Sequence, residues 1–237
     1  PQMMDFATAK AAGARFVFIK ASQRGVVDQD YVNNWLHAEN ILPRGAYHFY
    51  DWSASYEIQI NLFCQLINND PGELPPVLDY EMTTGAPVRT TAAGICLRFL
   101  KDVQQRTGVT PMLYTSPGFW GSYGVSTNLE FAKFLLWIAN YQVASPTIPK
   151  PWTAWKFWQY GVFPRGQEFG AESTSIDLDY FNGTEQELRI FAGIENPPAT
   201  LEERVTQLET NAVQTEQRLQ ALEAASHSHT YMPVIGK

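Results

Sequence analysis

Two acids one residue apart, Asp79 and Glu81, close the apolar run Leu74-Pro75-Pro76-Val77-Leu78-Asp79-Tyr80-Glu81. The run reads as a strand, and side chains alternate across a strand. Asp79 and Glu81 therefore share one face while Tyr80 points to the other. Like charges a pleat apart repel, so one pKa rises and a proton donor stands beside an ionised carboxylate. Hydrolysis of a glycosidic bond uses such a pair: an acid for the leaving oxygen and an anion facing the oxocarbenium-like centre. On residue types alone, a solvated strand end or half of a metal site competes evenly with catalysis.

A third acid, Asp177, lies in a later strand-like run, Ser175-Ile176-Asp177-Leu178. Asp179 shares its parity but lies further along, toward Asn182-Gly183, where capping the turn is its expected role. Three carboxylates also suit a divalent cation. The strand ends carry few other oxygen ligands, however, so neither a metal nor a cofactor is expected. Aromatic residues surround the acids instead. Tyr47, Tyr114 and Trp137 fall near strand C-termini, where sugar rings stack, and His48 is a candidate hydrogen-bonding partner there. Phe49, Tyr80 and Trp158 are read as core.

Positioning these groups requires a frame. Strands are expected at 15–20, 45–49, 76–81 and 111–115, with helices at 28–40, 56–68 and 90–107 between them. Their spacing of roughly 30 to 35 residues is the length of a βα unit. Later strands, at 135–139, 155–159 and 175–178, come only about 20 residues apart, too close for full intervening helices. The fold class expected is α/β: an irregular TIM-like β/α barrel with a helix-poor second half, active at the C-terminal ends of its strands. Closure would set the last strand beside the first. An open doubly wound sheet is the alternative. The chain opens on a helix, Asp5 to Gly13, which implies a preceding strand that is missing from the sequence.

Composition narrows the function. The 237 residues carry 17 Lys plus Arg against 24 Asp plus Glu, a net charge of −7 without a basic stripe, which argues against a nucleic-acid partner. The longest apolar runs are strand-sized, so no membrane-spanning helix is expected. The two cysteines, Cys64 and Cys96, sit in apolar helical contexts and read as buried small hydrophobes. Aromatics at 14% suit a surface for flat ligands such as sugars.

The segments Lys10 to Ala21, Gly45-Ala46-Tyr47-His48-Phe49, Pro75 to Glu81, Leu113-Tyr114-Thr115-Ser116, Leu136-Trp137-Ile138-Ala139, Phe157-Trp158-Gln159-Tyr160 and Ile176 to Gly183 together resemble glycoside hydrolase family 25, the Chalaropsis-type lysozymes common in bacteriophages. The resemblance holds in register from about residue 5 to residue 183. It implies an N-acetylmuramidase that cuts the β-1,4 bond between N-acetylmuramic acid and N-acetylglucosamine in bacterial peptidoglycan. By position it makes Glu81 the general acid, Asp79 its acidic partner and Asp177 the acid of the last strand. It also implies a substrate N-acetyl group as possible nucleophile, with direct attack by water as the other route. The family's opening strand, which carries a further Asp, has no counterpart after Pro1. A catalytically inactive glycan-binding or structural virion module, and a metal-dependent hydrolase built on Asp79, Glu81 and Asp177, are the competing readings.

Composition shifts at Asn196-Pro197-Pro198. The expected organisation is a catalytic barrel over 1–195, a linker and coiled-coil helix over 196–225, and an irregular tail over 226–237. In the second segment Leu201, Leu208 and Leu222 take heptad position d, with Val205, Ala212 and Leu219 at a. Arg204 with Glu209, and Arg218 with Glu223, would pair across a parallel interface. Leu201, Val205, Leu208, Leu219 and Leu222 are thus expected to join copies of the chain, a trimer among the options, on a phage tail or baseplate. The expected place of action is the virion or, after release, the bacterial wall. His227-Ser228-His229 is read as exposed chain, not a metal site.

Overall fold

The computed structural model describes residues 3–196 and 201–227, with side chains described through 196 and over 205–220. Cα packing divides the chain into two units, Pro1–Ile194 and Glu195–Lys237. The first unit runs α1 (Phe6–Ala11), β1 (Val17–Gln23), β2 (Val26–Val27), α2 (Tyr31–Ala38), β3 (Arg44–Phe49), α3 (Tyr56–Ile67), β4 (Val77–Asp79), α4 (Arg89–Thr107), β5 (Met112–Thr115), α5 (Pro117–Tyr123), β6 (Leu135–Ala139), β7 (Phe157–Phe163), β8 (Ile176–Phe181) and α6 (Glu185–Phe191). The second contributes α7 (Leu201–His227).

The strands form one sheet in the order β2-β1-β3-β4-β5-β6-β7-β8. From β1 through β3 to β7 the pairing is parallel. The sheet curls on itself. Phe18 of β1 stacks on Trp137 of β6 with ring centroids 4.3 Å apart, although three strands lie between them in the sheet. Phe16 and Phe18 also meet Phe157 of β7, at 4.9 and 5.0 Å. Edge-to-face aromatic packing of this kind adds about 0.5–1.5 kcal/mol per pair to the burial itself.

Alternation sorts the strands' side chains between two apolar layers. Val77, Met112, Tyr114, Trp137 and Phe157 point into the curl with Phe16 and Phe18. Their neighbours Leu78, Leu113 and Leu136 point outward against Phe63 of α3, Phe99 of α4 and Trp120 of α5. Strands buried on both faces need both parities apolar. Cys64 and Cys96 are free and buried in the outer layer. Helix starts follow capping chemistry: Ser116 accepts from Phe119 N at 3.2 Å at the head of α5, and Thr184 and Glu187 close a reciprocal capping box on α6.

Two expectations need correction. The curl does not close by a ladder between last and first strands; β8 pairs with β7, and β1 with β2 and β3. Moreover β8 runs antiparallel to β7. An antiparallel neighbour needs no crossover helix, which is why these strands could lie so close in sequence. The second half is helix-poor as expected: it holds two seven-residue helices, α5 and α6, and 3₁₀ turns at Leu129–Lys133 and Gln167–Phe169, with no α-helix between β6, β7 and β8.

In the second unit α7 is one 27-residue helix reaching His227, slightly past the expected end at 225. Val205, Leu208 and Leu219 are exposed in the single chain, at 46%, 64% and 55%. The side chains of Leu201 and Leu222, the Pro197-Pro198 boundary and residues 228–237 lie outside the described residues.

Candidate active site

Asp79 is the last residue of β4, in register with Phe49 of β3 and Tyr114 of β5, at the C-terminal mouth of the parallel strands. Backbone bonds hold the row: Tyr50 N donates to Asp79 O and Tyr80 N to Tyr114 O, both at 3.0 Å. The expected parity holds. Tyr80 turns outward onto Phe119 and Trp52, leaving Asp79 and Glu81 on the inner face. Asp79 is buried, and Glu81, two residues past the strand, reaches solvent.

The acids strain against one another. Burial first, then the negative charge of Glu81, pushes the Asp79 carboxyl well above the usual carboxylate range, with Lys20 opposing. Glu81 is raised by burial and then by Asp177. Asp177 is itself raised by burial. Asp79, Glu81 and Asp177 therefore meet in one electrostatic neighbourhood, although three strands separate β4 from β8 in the sheet. Tyr47 belongs to it too: burial, Asp79, Asp177, Asp28 and Glu81 all push its phenol up. Burial and mutual repulsion thus raise the proton affinity of all three carboxyls above that of isolated carboxylates. Among the described residues, Asp79 Oδ1 is buried without a hydrogen-bond partner. Among them also, no group of three or more His, Cys, Asp or Glu is arranged to hold a metal ion.

Asp179 is not a turn cap, and strand direction explains why. Because β8 runs against the other strands, its early residue Asp177 lies nearer the mouth, opposite Val162. Asp179 lies deeper, opposite Gln159. There it accepts a 2.7 Å hydrogen bond from Trp137 Nε1. Burial, with the Asp177 charge adding to it, outweighs that bond and raises the Asp179 carboxyl to about 7. The folded protein keeps a proton that the unfolded chain, near 3.8, would release, so stability falls as pH rises from about 4 to 7. Asp179→Asn keeps the acceptor and removes this loss. At pH 8 it should be more stable than the unsubstituted protein by on the order of 4 kcal/mol, with a higher melting midpoint, and at pH 3 the two should coincide. Thermal melts across pH check this; parallel profiles would refute it.

His48 does not join the site. It alternates with Tyr47 and so faces the helices, fully buried. Its Nδ1 lies 2.9 Å from Ser22 Oγ and its Nε2 3.1 Å from Gln59 Oε1 of α3, and its ring stacks on Phe99 of α4. Burial lowers its pKa to about 4, leaving it neutral in the outer layer. Trp137 and Tyr114 are inside the curl, but Trp137 is packed between Phe18 and Tyr114, at 4.3 and 4.7 Å. Its faces are taken, and it meets the acids through its indole N–H. Tyr114 donates its hydroxyl to Gln159 Oε1 at 2.7 Å.

Three site residues escaped the sequence reading. Lys20 at the inner face of β1 donates to Gln23 Oε1 at 2.8 Å and lies over Phe49. Gln159 of β7 accepts from both Tyr114 and Tyr141. Tyr141 stands two residues past the end of β6, as Glu81 stands two past the end of β4; that shared offset was the signal available.

The model of Glycosyl hydrolases family 25 matches residues 2–164. The chain belongs to that family. A relative named N,O-diacetylmuramidase, from Arthroderma benhamiae, is 32% identical over 201 residues, covering 80% of this chain and 81% of its own. The uncharacterized protein YegX of Escherichia coli is 35% identical over 189 residues, 78% of this chain; the chain spans 65% of YegX's length. Among solved structures, the lysozyme of Streptomyces coelicolor superposes with a TM-score of 0.70 at 27% identity, over 81% of this chain and 93% of that one.

Proposed function

We propose that this family 25 protein is a muramidase, a lysozyme hydrolysing the β-1,4 bond between N-acetylmuramic acid and N-acetylglucosamine of bacterial peptidoglycan. The observation that carries the reading is the meeting of Asp79, Glu81 and Asp177 at the mouth of a curled parallel sheet, with their proton affinities raised by burial and mutual repulsion.

Roles follow from exposure and position. Glu81 reaches solvent and holds its proton above the ordinary range, so it protonates the leaving glycosidic oxygen. As that bond breaks, the substrate's acetamido oxygen bonds to the anomeric carbon. The buried, unpartnered Oδ1 of Asp79 supports this route over direct attack by water, because it offers an acceptor for the acetamido N–H. Water then opens the cyclic intermediate, giving its proton to the Glu81 carboxylate. Two successive displacements retain the anomeric configuration. Asp177 supplies negative potential beneath the developing positive charge, and Tyr47 and Tyr114 line the sugar site.

Purified walls digested by the protein, then reduced with borohydride, should yield muramitol ends by mass spectrometry, undiminished in excess chelator. Glucosaminitol ends, intact walls or chelator-sensitive digestion would each overturn this reading. The proposal extends to assembly: the heptad of α7 and the exposure of Val205, Leu208 and Leu219 support a parallel coil joining copies of the chain. Such a coil behind a wall-cutting domain suits a phage tail or baseplate, with action at the bacterial wall. No described helix is long and apolar enough to cross a membrane.

A further inference from the structure

Gln159 is a buried amide opposite Asp179 in the β7–β8 ladder, and both phenols of the site converge on it. Tyr114 Oη donates to its Oε1 at 2.7 Å and Tyr141 Oη at 2.5 Å. Tyr114 is buried at the end of β5, and Tyr141 is 43% exposed on the connection leaving β6. Gln159 is itself 5% exposed. The charges of Asp177, Glu81 and Asp179 all push the Tyr141 phenol up, after burial, so its hydroxyl lies within reach of their field. It belongs to the 17-residue connection between Ala139 and Phe157, which has no α-helix or strand of its own, and its hydroxyl is held by Gln159 and by a side-chain hydrogen bond with Tyr114.

We propose that Gln159 is a positioning residue that pins Tyr141 across the cleft as a wall for the sugar rings, with Tyr114 as the fixed second phenol. This rests on the muramidase reading and adds two residues to it. An exposed tyrosine on a connecting loop samples several rotamers, and binding a glycan against it would cost the entropy of choosing one. A hydroxyl anchored on a buried, strand-held amide removes that cost beforehand. The face of the ring stays free for a pyranose, whose axial C–H groups pack on aromatic rings.

Three variants test it, each measured on purified walls with the Glu81→Gln protein as reference for no catalysis. Gln159→Leu releases both phenols and should raise KM about tenfold with a smaller fall in kcat. Tyr141→Phe should raise KM by several-fold, and the double variant should be no worse than Gln159→Leu alone, because the two act as one unit. Gln159→Glu still accepts both hydroxyls, so KM should stay near that of the parent. Its added negative charge beside Glu81 should move the alkaline limb of the pH–activity profile upward by about one unit. A merely structural glutamine would lower the melting midpoint while leaving KM and the pH limb of the folded fraction unchanged, and that pattern overturns the proposal. Sedimentation with walls provides a readout independent of turnover. If the parent protein clears no wall, the muramidase reading falls, and equal retention of parent and Gln159→Leu on walls would dismiss the clamp as well. Weaker retention of Gln159→Leu would uphold the clamp on its own.

Discussion

Glu81→Gln should lose at least about 10³-fold in wall-clearing rate while folding as well as the parent. The substitution keeps shape and volume and removes only the transferable proton. Loss of a positioned general acid costs about 10²–10⁴ in rate, and a leaving alkoxide with no other donor at hand belongs toward the upper end. Folding should not suffer, for a reason visible in the site. Burial and Asp177 raise the Glu81 pKa above its ordinary 4.5. A carboxyl with a raised folded pKa contributes a stability that declines as pH climbs from 4.5 through the folded value. The amide escapes that decline, so at pH 8 the variant should melt no lower than the parent. Turbidity clearing and thermal melts on one preparation check both halves. Clearing at more than a tenth of the parental rate would take Glu81 out of the acid role.

Arg44→Ala should be among the most destabilising single changes in the first unit. Arg44 opens β3 and is 2% exposed. Its guanidinium pairs with Asp70 at 2.9 Å and Glu73 at 3.4 Å, donates to Trp35 O at 2.7 Å, and lies 4.5 Å from the centroid of the Trp35 ring. Glu73 also accepts from the Arg44 backbone N–H, and Trp35 Nε1 donates to Asp70. One cation thus joins α2, β3 and the 70–73 turn. The turn leaves no slack: Gly72 has φ +81°, and a Cβ there would come within 2.4 Å of Arg44 O. Removing one partner from a buried pair costs about 3–5 kcal/mol. Asp70 and Glu73 keep partial access to water, at 47% and 31%, so the low end applies. About 3 kcal/mol corresponds to a midpoint drop of roughly 6–12 °C. Arg44→Lys should recover little, because an ammonium cannot fork between two carboxylates and lie flat on an indole. The group sits at the end of the strands away from the acids, so kcat of the folded fraction should hold. A midpoint within 2 °C of the parent would show that the ring of contacts contributes little.

Much of this was legible in the sequence where one period dominated. The strands at 45–49, 111–115 and 135–139 and the helices at 56–68 and 90–107 matched because apolar residues and turn punctuation agreed. The Asp79-Tyr80-Glu81 alternation turned Tyr80 outward as expected, because period two is strict. Strand direction was not legible. Nothing in Ile176-Asp177-Leu178-Asp179 says that the strand runs backward, and a parallel reading sends Asp179 toward the turn instead of under Trp137. His48 was misplaced by its neighbours: in Ala46-Tyr47-His48-Phe49 parity gives one face to Tyr47 and the other to His48, and only packing on α3 and α4 decides which is which. Tyr141 and Gln159 are 18 residues apart and belong to a connection and a strand, so no local pattern joins them.

The reversed course of β8 carries a consequence for how such a protein diversifies. Its incoming connection, residues 164–175, arrives at the rim beside Asp177, and it is tied there by backbone bonds from Asp5 N to Gly170 O at 2.8 Å and from Ala171 N to Gly166 O at 2.9 Å. A hairpin connection tolerates changes of length without disturbing the ladders it joins. Insertions between residues 164 and 175 therefore reshape the entrance above Asp177 while the acids and their sheet stay in place, giving mutation a hinge point between what is admitted and the chemistry done on it.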